Sequence, residues 1–112
     1  MEKYTPDYDL QVIKADVIRL GYRAFTASAR EGARRLKLST SQMQSVVCAL
    51  EKHMLYKSMT TCPSHRVWHD VYLIAIYNAE IYIKVTCRPN GGPPVISFKP
   101  HENPTMYELR SP

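Results

Sequence analysis

The sequence predicts an α+β fold, with N-terminal helices packed on one face of a C-terminal antiparallel β-sheet. Three observations predict it. Up to residue 54, apolar side chains recur three or four apart. Beyond it, β-branched and aromatic residues gather in the short runs "LYKSMTT", "RVWHDVYLIAI", "EIYIKVT" and "PVISFK", separated by "CPSH", "YNAE" and "RPNGGPP". Helices followed by strands, rather than alternating with them, leave the helices together on one side of the sheet. A chain of 112 residues is one domain with enough length to bury its own core. The domain is expected over 1–99, with an irregular tail at 100–112.

The elements follow in order. "DYDLQVIKADVIRLG" sets Leu10, Ile13, Val17 and Leu20 along one stripe of a helix, and Gly21 is its stop. "YRAFT" (22–26) is short, aromatic and β-branched, and reads as a small edge strand. "ASAREGARRLKL" is a second helix that Thr26 or Ser28 can cap. In "STSQMQSVVCAL", Ser39 and Gln42 have the spacing of a capping box, and Met43, Val46, Val47 and Leu50 share one face. The strands from 81 to 99 form a hairpin around a loop rich in Gly and Pro. After Pro100 the periodicity ends.

Alternation along the hairpin sorts its side chains. Ile81, Ile83 and Val85 point one way, and Tyr82, Lys84 and Thr86 the other. Ile96 and Phe98 share a side opposite Val95, Ser97 and Lys99. The apolar sets must meet the helices, since a one-residue slip would bury two lysines. The opposite face therefore gathers Tyr82, Lys84, Ser97 and Lys99.

Composition narrows the classes of function. Hydrophobic content of 45% and a mean hydropathy of −0.33 suit a globular chain, and no run approaches the ~18 apolar residues of a membrane span. The start "MEKYTPDYDL" carries no apolar leader core, and three cysteines without repeated spacing read as reduced thiols, so a cytoplasmic setting is expected. Fifteen Lys and Arg against ten Asp and Glu give a charge of +5 and point to an acidic partner, nucleic acid first and an acidic protein second.

The stretch "YKSMTTCPSHRVWHDVY" (56–72) concentrates the chemistry, and three readings compete for it. Cys62, His65 and His69 offer zinc-type ligands, but three of them with no second cysteine pair fall short of a structural site. A cysteine nucleophile lacks support, because Cys48 falls on the apolar side of a helix and Cys87 at a strand end. RNA cleavage through the ribose 2′-hydroxyl needs a base, an acid for the 5′-oxygen and positive charge around phosphorus. Lys57, His69, Tyr82, Lys84 and Lys99 supply such groups from strands that should adjoin. Arg30, Arg34, Arg35 and Lys37 read equally as a phosphate track and as a solvated helix face. Trp68 alternates away from His69 and reads as core. A binding module that holds RNA, DNA or an acidic segment on the same basic face, without cleavage, stands beside the enzyme.

The same stretch, with "MEKYTP", "IYIKVT" and "VISFK", resembles the motility quorum-sensing regulator toxins over about residues 1–99. The resemblance implies a RelE-like α+β fold and a sequence-selective, metal-independent endoribonuclease without a cofactor. Such an enzyme cuts mRNA at short GC-containing triplets, inhibiting translation and arresting growth. It also implies a cognate antitoxin that binds zinc and DNA as partner. The family's lysine in "YKSMTT" matches Lys57, its hairpin tyrosine Tyr82, and its lysine closing "SFK" Lys99, while the glutamine before "DVY" is replaced here by His69. Histidine, unlike glutamine, can move protons near neutral pH.

Overall fold

The computed structural model describes residues 1–62, 65–87 and 91–101, with the backbone alone at 61, 62, 65 and 66. Three helices, α1 (Leu10–Leu20), α2 (Ala27–Arg35) and α3 (Thr40–Cys48), precede four strands. These are β2 (Leu55–Cys62), β3 (His65–Ile76), β4 (Ala79–Val85) and β5 (Val95–Pro100). A two-residue strand, β1 (Glu2–Lys3), completes an antiparallel sheet of order β1-β2-β3-β4-β5. The α+β reading holds, and the arrangement is consistent with a RelE-like one.

Local chemistry sets the helix limits. Asp9 caps α1 by accepting from the Gln11 N–H, and Gly21 ends it with φ at 59°. Thr26, not Ser28, caps α2 through the Ala29 N–H, and its hydroxyl also donates to the Ile96 carbonyl at 2.7 Å. Both halves of the Ser39–Gln42 capping box form at the start of α3. Leu10, Ile13, Val17, Ala29, Ala33, Met43, Val46, Val47 and Leu50 then face Tyr72, Ile81, Ile83, Val85, Val95 and Phe98 in one core. α2 lies against β5 so closely that a Cβ on Gly32 would stand 1.9 Å from the Phe98 carbonyl oxygen.

Four expectations are corrected. "YRAFT" is not a strand: Gly21–Ala24 is a 3₁₀ turn, and Phe25 alone bridges to Val95. Gly21 leaves α1 in a sharp bend, and the 3₁₀ turn it opens is closed by the Phe25 N–H donating to the Tyr22 carbonyl. Val95, not Ile96, joins Phe98 in the core, because a bulge between Lys84 and Val85 pairs Lys84 with Ser97 and Val85 with Val95, leaving Ile96 as the extra residue. Cys48 is half-buried rather than core. The last strand runs through Pro100, and the His101 N–H still donates to the Glu80 carbonyl at 2.8 Å. The rest of the expected tail, 102–112, lies outside the described residues. Trp68 faces the helix side half-buried, with the Lys3 ammonium 4.1 Å from its ring centroid. β1 was not legible in so short a segment.

The N-terminal segment is tied down by a buried carboxylate. Asp70, fully buried on β3, accepts from the Asp7 N–H at 3.0 Å through both oxygens, from the Tyr8 N–H at 2.9 Å and from the Ser58 hydroxyl at 2.6 Å. Tyr8 extends the tie with its hydroxyl 2.6 Å from the Trp68 carbonyl and 3.2 Å from the Thr86 hydroxyl. Replacing Asp70 by Asn puts an amide donor where three donors converge. Asp70→Asn should lower unfolding free energy by about 2 kcal/mol or more, the cost of buried donors left unmet. Urea midpoints of the two proteins measure it.

Candidate active site

Register places the expected residues on the sheet face that the helices leave open. Lys57 on β2 pairs with Val71 on β3, Val71 with Lys84 on β4, and Lys84 with Ser97 on β5. The next row holds Leu73, Tyr82 and Lys99. Alternation alone is sufficient to aim Lys57, Lys84, Tyr82 and Lys99 to one side, because period two is preserved through both rows. His69, opposite Met59, occupies the row before Lys57 on the same face, half-buried with its Nδ1 below the surface.

Tyr82 is the centre of this face. The Lys99 ammonium lies 5.0 Å and that of Lys84 6.0 Å from its ring centroid. Lys57 stands over the neighbouring Tyr56 ring at 5.4 Å and is paired to the Glu2 carboxylate at 2.9 Å. The hydrogen bond from Lys57 to Glu2 raises its pKa above 10.5, outweighing the partial burial that opposes it. Burial lowers the pKa of Lys84 below 10.5, helped by repulsion from Lys99 and Lys57. Burial also raises the Tyr82 phenol above 10.0, against the pull of Lys57 and with that of Tyr56. At neutral pH the face thus presents a protonated phenol among ammonium groups, two kinds of donor aimed at the same space. An anion with several oxygens, such as a phosphodiester, is the natural occupant.

The arginines belong to another place. Arg30 stacks on Tyr22 at 4.2 Å and donates to the Phe25 carbonyl at 3.1 Å, while Arg34 pairs with Glu31 at 2.9 Å. Both line, with Lys37 and the start of α3, a hollow of about 490 Å³ to which none of Lys57, Tyr82, Lys84 and Lys99 contributes. Arg35 is exposed on the same helix. The side chains of Cys62 and His65 lie outside the described residues, so the three-ligand grouping with His69 does not enter the description. Among the described residues, no three His, Cys, Asp or Glu gather as metal ligands.

Three neighbours escaped sequence reasoning. Tyr56 should point away from Lys57 by alternation, but a bulge between Leu55 and Lys57 brings its ring to the lysine side. Glu2 arrives on the unforeseen β1. His101 stacks on Tyr82, with centroids 5.9 Å apart and planes at 16°. It stands two residues after Lys99, and the same alternation would have found it had Pro100 not read as the end of the strand.

The lysines should therefore titrate apart, Lys84 below 10.5 and Lys57 above it, in pH-dependent NMR of isotope-labelled lysines. Glu2→Gln should bring Lys57 down. Because Lys57 is raised in the folded chain, its pair with Glu2 contributes stability from neutral pH up to about 10.5, and the contribution is lost as pH rises through the folded value. The destabilising effect of Glu2→Gln should accordingly disappear in strong alkali.

Comparison with known proteins shows the family. The model of a family described as "Motility quorum-sensing regulator, toxin of MqsA" matches residues 5–100. The mRNA interferase toxin MqsR of Escherichia coli is 36% identical over 86 residues, which cover 77% of this chain and 87% of its own length. A match spanning all three helices and β2 to β5 encloses Lys57, His69, Tyr82, Lys84 and Lys99. The chain belongs to the motility quorum-sensing regulator toxin family.

Proposed function

We propose that this protein is the toxin of a type II toxin–antitoxin pair and an endoribonuclease that cuts mRNA, inhibiting translation and arresting growth. Family membership and the mRNA interferase name of its relative support the activity. The observation that carries the mechanism is the convergence of Lys57, Lys84 and Lys99 around Tyr82 and Tyr56 on one open sheet face. An antitoxin partner follows from the family description. We infer that this antitoxin is the zinc- and DNA-binding member of the pair, so that the toxin meets DNA only through it. With mRNA as substrate, the toxin acts in the cytoplasm. Among the described residues, no helix is long and apolar enough to cross a membrane.

Cleavage starts when the ribose 2′-oxygen attacks phosphorus, leaving the 5′-oxygen to depart. Lys57 and Lys99 offset the charge that grows on the phosphoryl oxygens, and Lys84 adds a third cation to the bound backbone. Tyr82, kept protonated by burial, donates a hydrogen bond to a phosphoryl oxygen rather than accepting a proton. His69 takes the 2′-hydroxyl proton from the row beside Lys57, a role that a glutamine at this position could fill only by orientation. None of these steps draws on a metal.

The test is cleavage of a defined mRNA by the purified chain in excess EDTA, with cut sites mapped at nucleotide resolution. Cuts should recur at one short GC-containing motif. Lys99→Ala should lower turnover by a factor of ~10²–10³, the cost of one lost charge-stabilising group. A protein that only binds RNA would instead lose affinity modestly and in proportion to salt. Proton abstraction by His69 requires its neutral form, so the wild-type rate should climb with pH through an imidazole titration. His69→Gln should flatten that acidic limb; an unchanged pH–rate profile would remove His69 from proton transfer.

A further inference from the structure

A second cationic place lies across α2 from the lysine face. Between α2 and the start of α3, Arg30, Arg34 and Lys37 line a hollow of about 490 Å³ together with Tyr22 and the hydroxyl-bearing Ser39 and Thr40. Among the described residues, no carboxylate contributes to its lining. The mechanism above uses none of these groups. Arg30 is fixed there from two sides, by the Tyr22 ring at 4.2 Å and by the Phe25 carbonyl at 3.1 Å, while 59% of Tyr22 stays exposed. Lys37 holds a left-handed backbone, with φ at 60°, at the position after α2 where glycine is the usual occupant. The chain thus keeps a cation at the hollow in a conformation that glycine would adopt more easily.

The hollow and the lysine face share α2 as their boundary. β5 is the edge of the sheet, and α2 lies along it with Gly32 against the Phe98 carbonyl. A Cβ on Gly32 would also stand 3.0 Å from the Lys99 Cβ, so α2 borders the open face at its last lysine. Arg35, three residues on, is exposed on the Gly32 flank of the helix. Arg30 and Arg34, four apart, share the other flank and turn to the hollow. A strand leaving Lys99 over the exposed back of α2 meets Arg35, then Arg34, then the hollow, a crossing of one helix diameter, ~10–12 Å.

We propose that the hollow is a second RNA subsite, which holds a nucleotide of the substrate strand away from the cut. The proposal rests on the ribonuclease reading above and gives that enzyme a hold on its substrate outside the reacting bond. Arg34 and Lys37 meet the phosphate, the Ser39 and Thr40 hydroxyls donate to its oxygens, and the exposed ring of Tyr22 receives a base. Glu31, exposed and paired with Arg34 at 2.9 Å, weakens this charge without cancelling it, since three cations face the hollow. An acidic peptide would satisfy the cations equally well, but it brings no flat group to Tyr22, and this favours single-stranded RNA.

The experiment uses the full chain in excess EDTA and one RNA carrying the mapped cleavage motif, lengthened stepwise at its 5′ or its 3′ end. Lengthening on one side should lower KM ~10-fold once the strand reaches the hollow, and leave kcat alone. Lys37→Gly removes the cation and suits the left-handed backbone, so the fold is kept. That variant and Arg34→Gln should each abolish most of the gain on the long RNA. On the shortest RNA, which ends before the hollow, both should match wild type in kcat and KM. The same RNAs with a 2′-deoxy scissile nucleotide are not cut and give Kd directly. On the long one, each variant should reduce the slope of log Kd against log salt by ~0.7. A cleaving wild type whose KM ignores length, or variants that keep the full gain, would overturn the subsite. Lys37→Gly losing affinity for a polyglutamate peptide but not for RNA would also overturn it, assigning the hollow to an acidic protein segment. A wild-type chain that cuts no RNA would instead sink the ribonuclease reading, and the Kd series would still decide the hollow.

Discussion

The carboxylate of Asp70 is the interaction on which the arrangement depends. It is a charge taken wholly out of water, tolerable only because four hydrogen bonds converge on its two oxygens. Those bonds come from β2 and from the segment between β1 and α1, so a single side chain on β3 sets where the N-terminus crosses the sheet. With residues 7 and 8 held, β1 can reach back only far enough to pair with Ser58 and Met59, and Glu2 lands beside Lys57. The same two residues fix where α1 begins, and with it the tilt of the stripe formed by Leu10, Ile13 and Val17. Charge placement in the site and packing in the core thus share one anchor.

Much of this was legible because two periodicities governed it. The capping box, the stop at Gly21 and the four long strands follow from side chains that act within four residues of themselves. The shared face of Lys57, Tyr82, Lys84 and Lys99 follows from period two, which any strand enforces. Two of the departures share one cause. Val95 replacing Ile96, and Tyr56 joining Lys57, both arise at bulges, where one extra residue reverses alternation and only the partner strand decides where it sits. β1 depends on Asp70, 67 or more positions away in sequence from Lys3 and Glu2, so no local pattern marks it. The arginines of α2 lie apart from the lysine face for a simpler reason. Charge has no periodicity that tells which layer it will face, and here α2 turns Arg30 and Arg34 toward α3 rather than toward the lysines.

The open sheet face separates two tasks that a single residue type could not perform together. Lysines supply charge but do so at the cost of mutual repulsion, visible in the lowered pKa of Lys84. The aromatic rings of Tyr56 and Tyr82 stand between the ammonium groups and offer each a negative π-face, which eases that repulsion while the substrate is absent. Glu2 does the same for Lys57 through a carboxylate. On the proposed reading, a phosphodiester would replace these internal counter-charges, so that the lysines exchange one partner for another.

Val71 gives this face a second nature. It is fully buried, yet it points away from the helices and has no place in the main core. On the side it faces, Lys57 and Lys84 are its cross-strand neighbours, so their methylene stems are placed to cover it. The lysines are therefore roof beams as well as charges. A lineage that gave up cleavage would still be held to long, unbranched side chains at 57 and 84, since short ones would wet a valine in the middle of the sheet. Conservation of length at these two positions and conservation of charge are separate constraints, and a homologue with methionine or glutamine there would have kept the first while abandoning the second.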